Sequence, residues 1–489
     1  MFRKIATYGL SIYAATLLSS AISFAVTMVV ARHISKESLG TYGFYITIYS
    51  LFGMIFGSGL NQSLVKFLGN KAEDRHELHR LVLALCGMLA LVFWPAAAVA
   101  FWMRSDVWGW GLAAIPFFAI SLFASSSFRA EFAKGKELGL RMSISLLNST
   151  LTLAFVYLAV RPEIAPIRGD FLSITIPALF IAVYFARISD GWSPFRLWAT
   201  LRGNTASRLF HFAVPLAIAG LAFILYSNAS SMLIRAFVGL EALGEYYFAL
   251  QLMFLLEKPM QILANLVLAG FSNEPDISVK DHRRLVTFNL SVFPLIAIGL
   301  GFGGPMILAV ADIILGPVGG SPLAVKYASA SIYVSLFALA VPARCVEFLV
   351  SSLAIARGMP QVNRNTHVTT ACIGLPILAL LVWMFGPWGA AAMPLVYQVI
   401  FLSIQARQLR AVMPEIIAST SRAAIVGTVL AGSALAVSAW TGSVLLFFPC
   451  AAAYVIGGHL LGGWDLKLLI PGSGWASLLP ARFRAQPAA

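Results

Sequence analysis

Runs of about 20 predominantly apolar residues, the length an α-helix needs to cross the hydrocarbon core of a bilayer, recur along this chain so closely that little room is left for anything else. Such windows mark fourteen candidate spans: 8–31, 41–65, 81–103, 108–128, 142–160, 170–186, 212–234, 246–270, 285–311, 329–356, 368–385, 389–406, 423–440 and 443–462. The longest connection, 187–211, is too short for a catalytic domain. Hydrophobic residues make up 59% of the 489-residue chain and charged ones only 11%, against roughly 25% charged in a soluble domain. The chain therefore reads as an all-α polytopic membrane protein.

The net charge of +14 is scattered over short loops and forms no basic arm, which argues against nucleic acid as a partner. Its distribution follows the positive-inside rule instead. With Arg3 and Lys4 in the cytoplasm, cytoplasmic segments hold 25 Lys and Arg and external ones seven: Arg32, Lys36, Arg104, Arg161, Arg168, Arg235 and Lys326. The bias predicts both termini in the cytoplasm. Cys86, Cys345, Cys372 and Cys450 all fall inside spans, so free, buried thiols are expected rather than a disulfide framework.

An internal repeat organises the spans. At an offset of 204 residues, Ile12 to Phe67 aligns without gaps on Leu216 to Phe271, with 14 identities in 56 positions. These include Ser23 with Ser227, Glu37 with Glu241, Gly40 with Gly244, Tyr42 with Tyr246 and Asn61 with Asn265. Six spans separate the copies. An even number gives both the same orientation, a parallel repeat about an axis along the membrane normal. The expected architecture is two six-helix lobes around a central cavity, 1–206 and 207–412, with two further helices and a cytoplasmic tail in 413–489. Secondary transporters are commonly built in this way.

Four charged residues lie well inside predicted spans: Glu257, Lys258, Arg344 and Glu347. Exposed to lipid they would together cost about 10–14 kcal/mol, so they must face protein or water. At 100° per residue, Gln251, Lys258, Gln261 and Asn265 share one stripe with Glu257 on its flank, and Tyr333, Arg344, Glu347 and Ser351 share another. The first span adds Thr16, Ser20, Ser23 and Thr27; its repeat partner adds Ser227, Asn228 and Ser231. Each stripe is long enough to line a cavity. Two readings of the charges stand side by side. Glu257 with Lys258, and Arg344 with Glu347, are either structural ion pairs or binding and coupling groups; the i, i+3 pair can meet, whereas adjacent side chains diverge. Pro215, Pro259, Pro294 and Pro342 are expected to kink or break helices, and Arg32 and Arg235 sit at the external mouth as anchors or snorkelling residues.

Absences narrow the function. There is no G-x-x-x-x-G-K-[ST] loop for ATP, no His/Cys/carboxylate cluster for a metal, and no motif that calls for a cofactor. His76 and His79 fit a solvated loop face. Movement of a substrate is favoured over chemistry on one.

The stretch ARHISKESLGTYGFYITIYSLFGMIFGSGLNQSLVKFL, Ala31 to Leu68, carries the pattern of Ala31, Arg32, Glu37, Gly40 and Tyr42 after the first span. With the second-lobe opening FAVPLAIAGLAFILYSNASSMLIRAFVG, the glycine turn before the eleventh span and the hairpin FGPWGAAAMPLV, it resembles the polysaccharide-transporter branch of the multidrug/oligosaccharidyl-lipid/polysaccharide exporter superfamily, the O-antigen-type flippases. The resemblance spans roughly residues 1–465. It implies two bundles around a central, often cationic cavity that accepts the pyrophosphate and sugars of a polyprenyl-linked oligosaccharide. It also implies alternating access driven by a proton or sodium gradient, and a groove for the lipid tail formed by helices thirteen and fourteen. Many relatives carry an acidic residue early in the second lobe where this chain has Ser230, which moves the expected ion coupling to Glu257 or Glu347.

The expectation is a non-enzymatic flippase of the bacterial inner membrane that moves an undecaprenyl-pyrophosphate-linked glycan for surface or exopolysaccharide synthesis, in contact with membrane lipids and with polymerase or assembly proteins as candidate partners. Lys258 and Arg344 are expected to hold the anionic headgroup, with Arg32, Arg235, Gln261, Asn265 and Asn228 as further substrate contacts. A multidrug or organic-cation exporter of the same superfamily is the first rival, and would favour acidic, aromatic pockets. A polytopic sugar polymerase or glycosyltransferase is the second, and would need acidic residues on a large external loop.

Overall fold

A computed structural model gives the architecture and describes residues 2–69, 75–130, 134–158, 164–188, 200–201, 203–273, 279–357 and 359–465. Among these residues there is no strand. The long helices are α1 (Phe2–His33), α2 (Lys36–Gly69), α3 (Arg75–Trp102), α4 (Asp106–Ala130), α5 (Lys134–Tyr157), α6 (Ala165–Ile188), α7 (Asn204–Phe237), α8 (Leu240–Asn273), α9 (Val279–Leu315), α10 (Ala330–Ala356), α11 (Pro360–Phe385), α12 (Pro387–Leu409), α13 (Pro414–Thr441) and α14 (Phe447–Leu460). A single helical turn, Leu323–Lys326, lies between α9 and α10.

The protein is an all-helical polytopic membrane protein. Ten of the helices carry, within their described residues, an apolar window long enough to cross a bilayer, and Leu18–His33 and Val444–Leu460 are shorter apolar helices. In hydrocarbon every backbone polar group must be satisfied within its own segment, which is why apolar runs of this length become helices and nothing else. Many large apolar side chains are exposed, among them Leu91, Trp102, Ile313, Trp440 and Phe448, a surface suited to lipid. Pro215, Pro259, Pro294 and Pro342 do not break their helices; the assignment runs through each. A membrane span tolerates a proline because neighbouring helices and local adjustments re-satisfy the freed backbone groups. All four cysteines are free. Cys86 and Cys345 are buried, but Cys372 is exposed, on the same flank of α11 as the exposed Ile373.

The chain divides into two compact units. The first comprises 1–255, 311–327 and 367–390; in it α2 packs on α4 and α7, α5 on α1 and α6, and α4 on α3 and α6. Its interior is aromatic: Tyr42, Tyr45 and Tyr49 lie along α2, with Tyr49 against Phe118 and Tyr42 against Tyr247. The second comprises 256–310, 328–366 and 391–489, where α13 packs between α10 and α14. There the buried Tyr454 hydroxyl of α14 donates to the Leu290 carbonyl of α9 at 3.0 Å.

Within the first unit, the repeat at an offset of 204 takes physical form where α2 and α8 begin. A Cβ on Gly40 would strike the carbonyl oxygen of Leu240 and lie 2.9 Å from the Gly244 nitrogen. A Cβ on Gly244 would strike the carbonyl oxygen of Lys36 and lie 3.1 Å from the Gly40 nitrogen. Lys36 and Leu240 are themselves repeat partners, so these are one contact seen from each copy, the pattern a two-fold between the helices produces. Gly43 and Tyr247, also repeat partners, touch in the same way: a Cβ on Gly43 would sit 2.6 Å from the ring of Tyr247. Neither Gly40 nor Gly244 has a positive φ. Close approach of two backbones is therefore the reason for both glycines. Lys36 adds charge at the crossing, 2.5 Å from Glu245 and 3.7 Å from Glu241.

Candidate functional site

The buried charge of the second unit converges on α10. Arg344 reaches from α10 to Glu257 on α8, with one guanidinium nitrogen 3.0 Å from Oε1 and the other 3.1 Å from Oε2. This two-pronged geometry is the strongest form of an arginine–carboxylate pair. One turn further along α10, Glu347 is 3% exposed and accepts a hydrogen bond from the Gln398 amide of α12 at 2.5 Å. A second turn on, the Gln405 amide of α12 donates to the Ser351 hydroxyl at 3.1 Å, and the Asn363 amide of α11 donates to the Ser351 carbonyl at 3.1 Å.

This pairing differs from the one the sequence suggests. Arg344 and Glu347 share a helix face, but the close partner of Arg344 is Glu257, 87 residues away in sequence, while its charge also acts on Glu347 through space. Among the described residues the cluster thus sets one guanidinium against two carboxylates. Gln398 and Gln405, fully buried and one heptad apart on α12, were not singled out by sequence: a glutamine in a span carries no charge to attract notice. Lys258, Gln261 and Asn265 lie outside the residues whose side chains are described.

The other candidates are engaged locally in the first unit. Asn228 donates back to the Ile224 carbonyl of its own helix at 3.0 Å. Arg235 stacks over the Phe44 ring, 3.7 Å from its centroid, a cation–π contact. Arg32, only 7% exposed, pairs with Asp312 at 3.1 Å. The Asp312 carboxylate also accepts from the Leu323 and Ala324 backbone nitrogens at 2.7 and 2.9 Å. The bond from the Ser321 nitrogen to the Arg32 carbonyl at 3.0 Å, and those from the Lys326 ammonium to the Ala31 and Ile34 carbonyls, complete a clasp at the end of α1. Burial, and then the like charge of Lys36, lower the Lys326 ammonium below its ordinary pKa; its charge is held by carbonyls in place of water.

Removing either member of the Arg32–Asp312 pair leaves the other charge largely buried without its counter-ion, a loss of about 3–5 kcal/mol. Arg32→Ala and Asp312→Ala should each lower the melting temperature of the detergent-purified protein. The double variant should cost less than the sum of the two; additive losses would mean that the two residues act independently.

A third feature was missed altogether. Asp170 on α6 is buried, yet the sequence places it at the rim of the sixth span, where a carboxylate looks solvated. The helix begins at Ala165, which sets Asp170 inside. Among the described residues no group of three or more metal-ligating side chains is found.

A family model described as polysaccharide biosynthesis protein matches residues 7–268. This chain belongs to that family. The match takes in α1 to α7 and most of α8, including the Gly40–Gly244 crossing and Glu257. No curated protein matches the chain in sequence. Among solved structures, "Lipid II flippase MurJ, inward closed conformation" is similar with a TM-score of 0.66 and 11% identity, over 94% of this chain and 99% of the other. An inward-facing multidrug resistance MATE family transporter of the MOP superfamily gives a TM-score of 0.59 at 12% identity, over 80% and 95% of the two chains. A MOP superfamily transporter from Pyrococcus furiosus gives 0.59 at 11% identity, over 88% and 95%. At such identities the likeness is one of fold. The family gives the process, polysaccharide biosynthesis, and the solved structures give the fold, that of a multi-pass membrane protein.

Proposed function

We propose that this family member is a flippase that carries a polyprenyl-pyrophosphate-linked oligosaccharide from the cytoplasmic to the outer face of the bacterial inner membrane for surface or exopolysaccharide synthesis. Both termini lie in the cytoplasm. The carrier consists of lobes 1–206 and 207–412 with helices α13 and α14 and the tail in 413–489, and it works by alternating access, not by chemistry on the glycan. The observation that carries the proposal is the Glu257–Arg344–Glu347–Gln398 cluster, a buried polar centre in a chain of a polysaccharide biosynthesis family. Polar and ionisable groups inside a membrane are costly and mark substrate or ion pathways.

Arg344 and Lys258 hold the pyrophosphate. The guanidinium fork that grips Glu257 matches a phosphate equally well, so a headgroup displaces the carboxylate from Arg344. The released carboxylate, with Glu347, then takes up a proton or sodium ion, which ties ion movement to substrate movement. Gln261, Asn265 and Asn228 line the sugar path, and Arg32 and Arg235 act at the outer mouth.

Reconstitution tests this. Liposomes containing the purified protein and a short-chain polyprenyl-pyrophosphate oligosaccharide should expose the glycan to an external lectin at a rate that depends on protein. Lys258→Gln should reduce that rate by an order of magnitude or more with the folded yield unchanged. Equal rates with and without protein, or for wild type and variant, would remove the flippase or the Lys258 assignment respectively.

A further inference from the structure

In the first unit, Gly169 lets α6 press against α5: a Cβ there would lie 2.5 Å from the Thr152 Cα and 2.6 Å from its nitrogen. The close approach brings the next residue, Asp170, beside Asn148. The Asn148 amide nitrogen donates to Asp170 Oδ1 at 2.6 Å, and the Thr152 hydroxyl donates to Asn148 Oδ1 at 2.9 Å. In this arrangement the amide nitrogen is turned to the carboxyl.

The other carboxyl oxygen has a different environment. Asp170 is 3% exposed, its Oδ2 has no hydrogen-bond partner, and the hydroxyl of the wholly buried Tyr45 has none either. The hydroxyls of Tyr45 and Tyr49 lie in the neighbourhood of this carboxyl. The side chains whose fields meet there are the tyrosines 42, 45 and 49 of α2 and Tyr247 of α8. Other ionisable groups described on the helices packed against α6 are Lys36 and Glu37 at the start of α2, His76, Glu77, His79 and Arg80 near the start of α3, Asp106 at the first residue of α4, and Lys136, Glu137 and Arg141 in the first turns of α5, with Lys136 bonded to the Tyr184 hydroxyl of α6. Arg168 on α6 itself points away, since two residues along a helix are about 200° apart. Among the described residues no cation pairs with Asp170.

An ionised carboxylate with no cation, one donor and a bare oxygen in such a place is strongly disfavoured; such a group takes a proton instead. We propose that Asp170 is a proton-binding site of the first unit, with the proton on Oδ2 shared toward the Tyr45 oxygen while Oδ1 accepts from Asn148. A carboxylic acid suits the site: Oδ1 accepts from the amide, and the acidic hydrogen on Oδ2 faces the otherwise unpartnered Tyr45 oxygen. A metal cation is not favoured here, because among the described residues no group of three His, Cys, Asp or Glu side chains gathers to hold one. The site lies in a different unit from Glu257 and Glu347 and uses none of the glycan-binding groups. It therefore stands or falls apart from the flippase proposal.

Infrared spectroscopy of the purified protein at neutral pH reads the site without any transport assay. Wild type should show a protonated-carboxyl carbonyl band, shifted in heavy water, that is absent from Asp170→Asn. Tyr45→Phe, which removes the acceptor, should displace that band without deleting it. Asp170→Asn should also melt within a few degrees of wild type, because a carboxamide reproduces both bonds of the acid. No carbonyl band lost in Asp170→Asn would show an ionised Asp170 and overturn the proposal. If Asp170→Asn fails to fold, the Tyr45→Phe displacement decides alone: an unmoved band spectrum overturns it.

Discussion

Gly40→Val and Gly244→Val should each abolish most of the monodisperse folded protein recovered in detergent, while Gly87→Val leaves it unchanged. At Gly40 and Gly244 the space for a side chain is already filled by the partner helix's backbone, the carbonyl oxygens of Leu240 and Lys36. A carbonyl in a helical hydrogen-bond ladder cannot swing aside as a flexible side chain can. The helices must part, losing the Lys36–Glu245 contact and the Gly43–Tyr247 fit with them. The penalty should exceed the roughly 1–3 kcal/mol usual for overpacking a core. Gly87 has nothing within 4 Å of its would-be Cβ, so it controls for the valine itself. Size-exclusion profiles of fluorescent fusions give the comparison. Wild-type profiles from Gly40→Val would mean that the crossing is looser than the contact distances describe.

The second large effect is expected at the Arg344–Glu257 pair. Arg344→Gln alone strands Glu257 in a site where both side chains are mostly buried, at a cost of about 3–5 kcal/mol. Glu257→Gln alone removes the carboxylate gripped by the guanidinium, and among the described residues Glu347 stays near it. The double variant Arg344→Gln with Glu257→Gln leaves two neutral amides able to hydrogen-bond each other, and should recover most of the melting temperature. On the proposed function, glycan export should remain lost in the double variant, because the headgroup would lose its fork. Export restored together with stability would make the pair a structural clamp and nothing more. Glu347→Gln offers a separate comparison: its Gln398 contact survives as an amide pair, so folding should hold while any ion dependence of transport weakens.

How much of this was legible in advance varies by feature. Segment identity was the most legible, because the energy of placing a helix in hydrocarbon is close to a sum over its own residues. Even there, boundaries shifted by several residues. The sixth span, read as 170–186, is a helix from Ala165, and that five-residue error hid Asp170. The repeat was legible too, since Glu37, Gly40 and Tyr42 recur at one fixed offset. The physical cause of the glycines was not. A sequence allows either a positive φ or a close approach, and only the atoms around Gly40 and Gly244 choose the second.

Charged residues show the division most clearly. From the sequence by itself it follows that Glu257, Arg344 and Glu347 cannot face lipid, because desolvation of a charge is a property of the residue and its depth. Which partner each finds is not such a property. Helical spacing offers Glu347 to Arg344, yet tertiary packing delivers Glu257 from another helix and gives Glu347 to Gln398. In the same way Arg32, legible as a cation at the end of a span, becomes one half of a clasp only because Asp312 arrives from 280 residues away. Apolar content and the insertion cost of a charge are local and nearly additive, so the sequence alone determined an all-helical membrane protein with a duplicated start and buried charges. Ion pairs and close helix contacts fall off within a few ångströms and depend on where distant segments come to rest, and for that reason only the tertiary structure decided who meets whom.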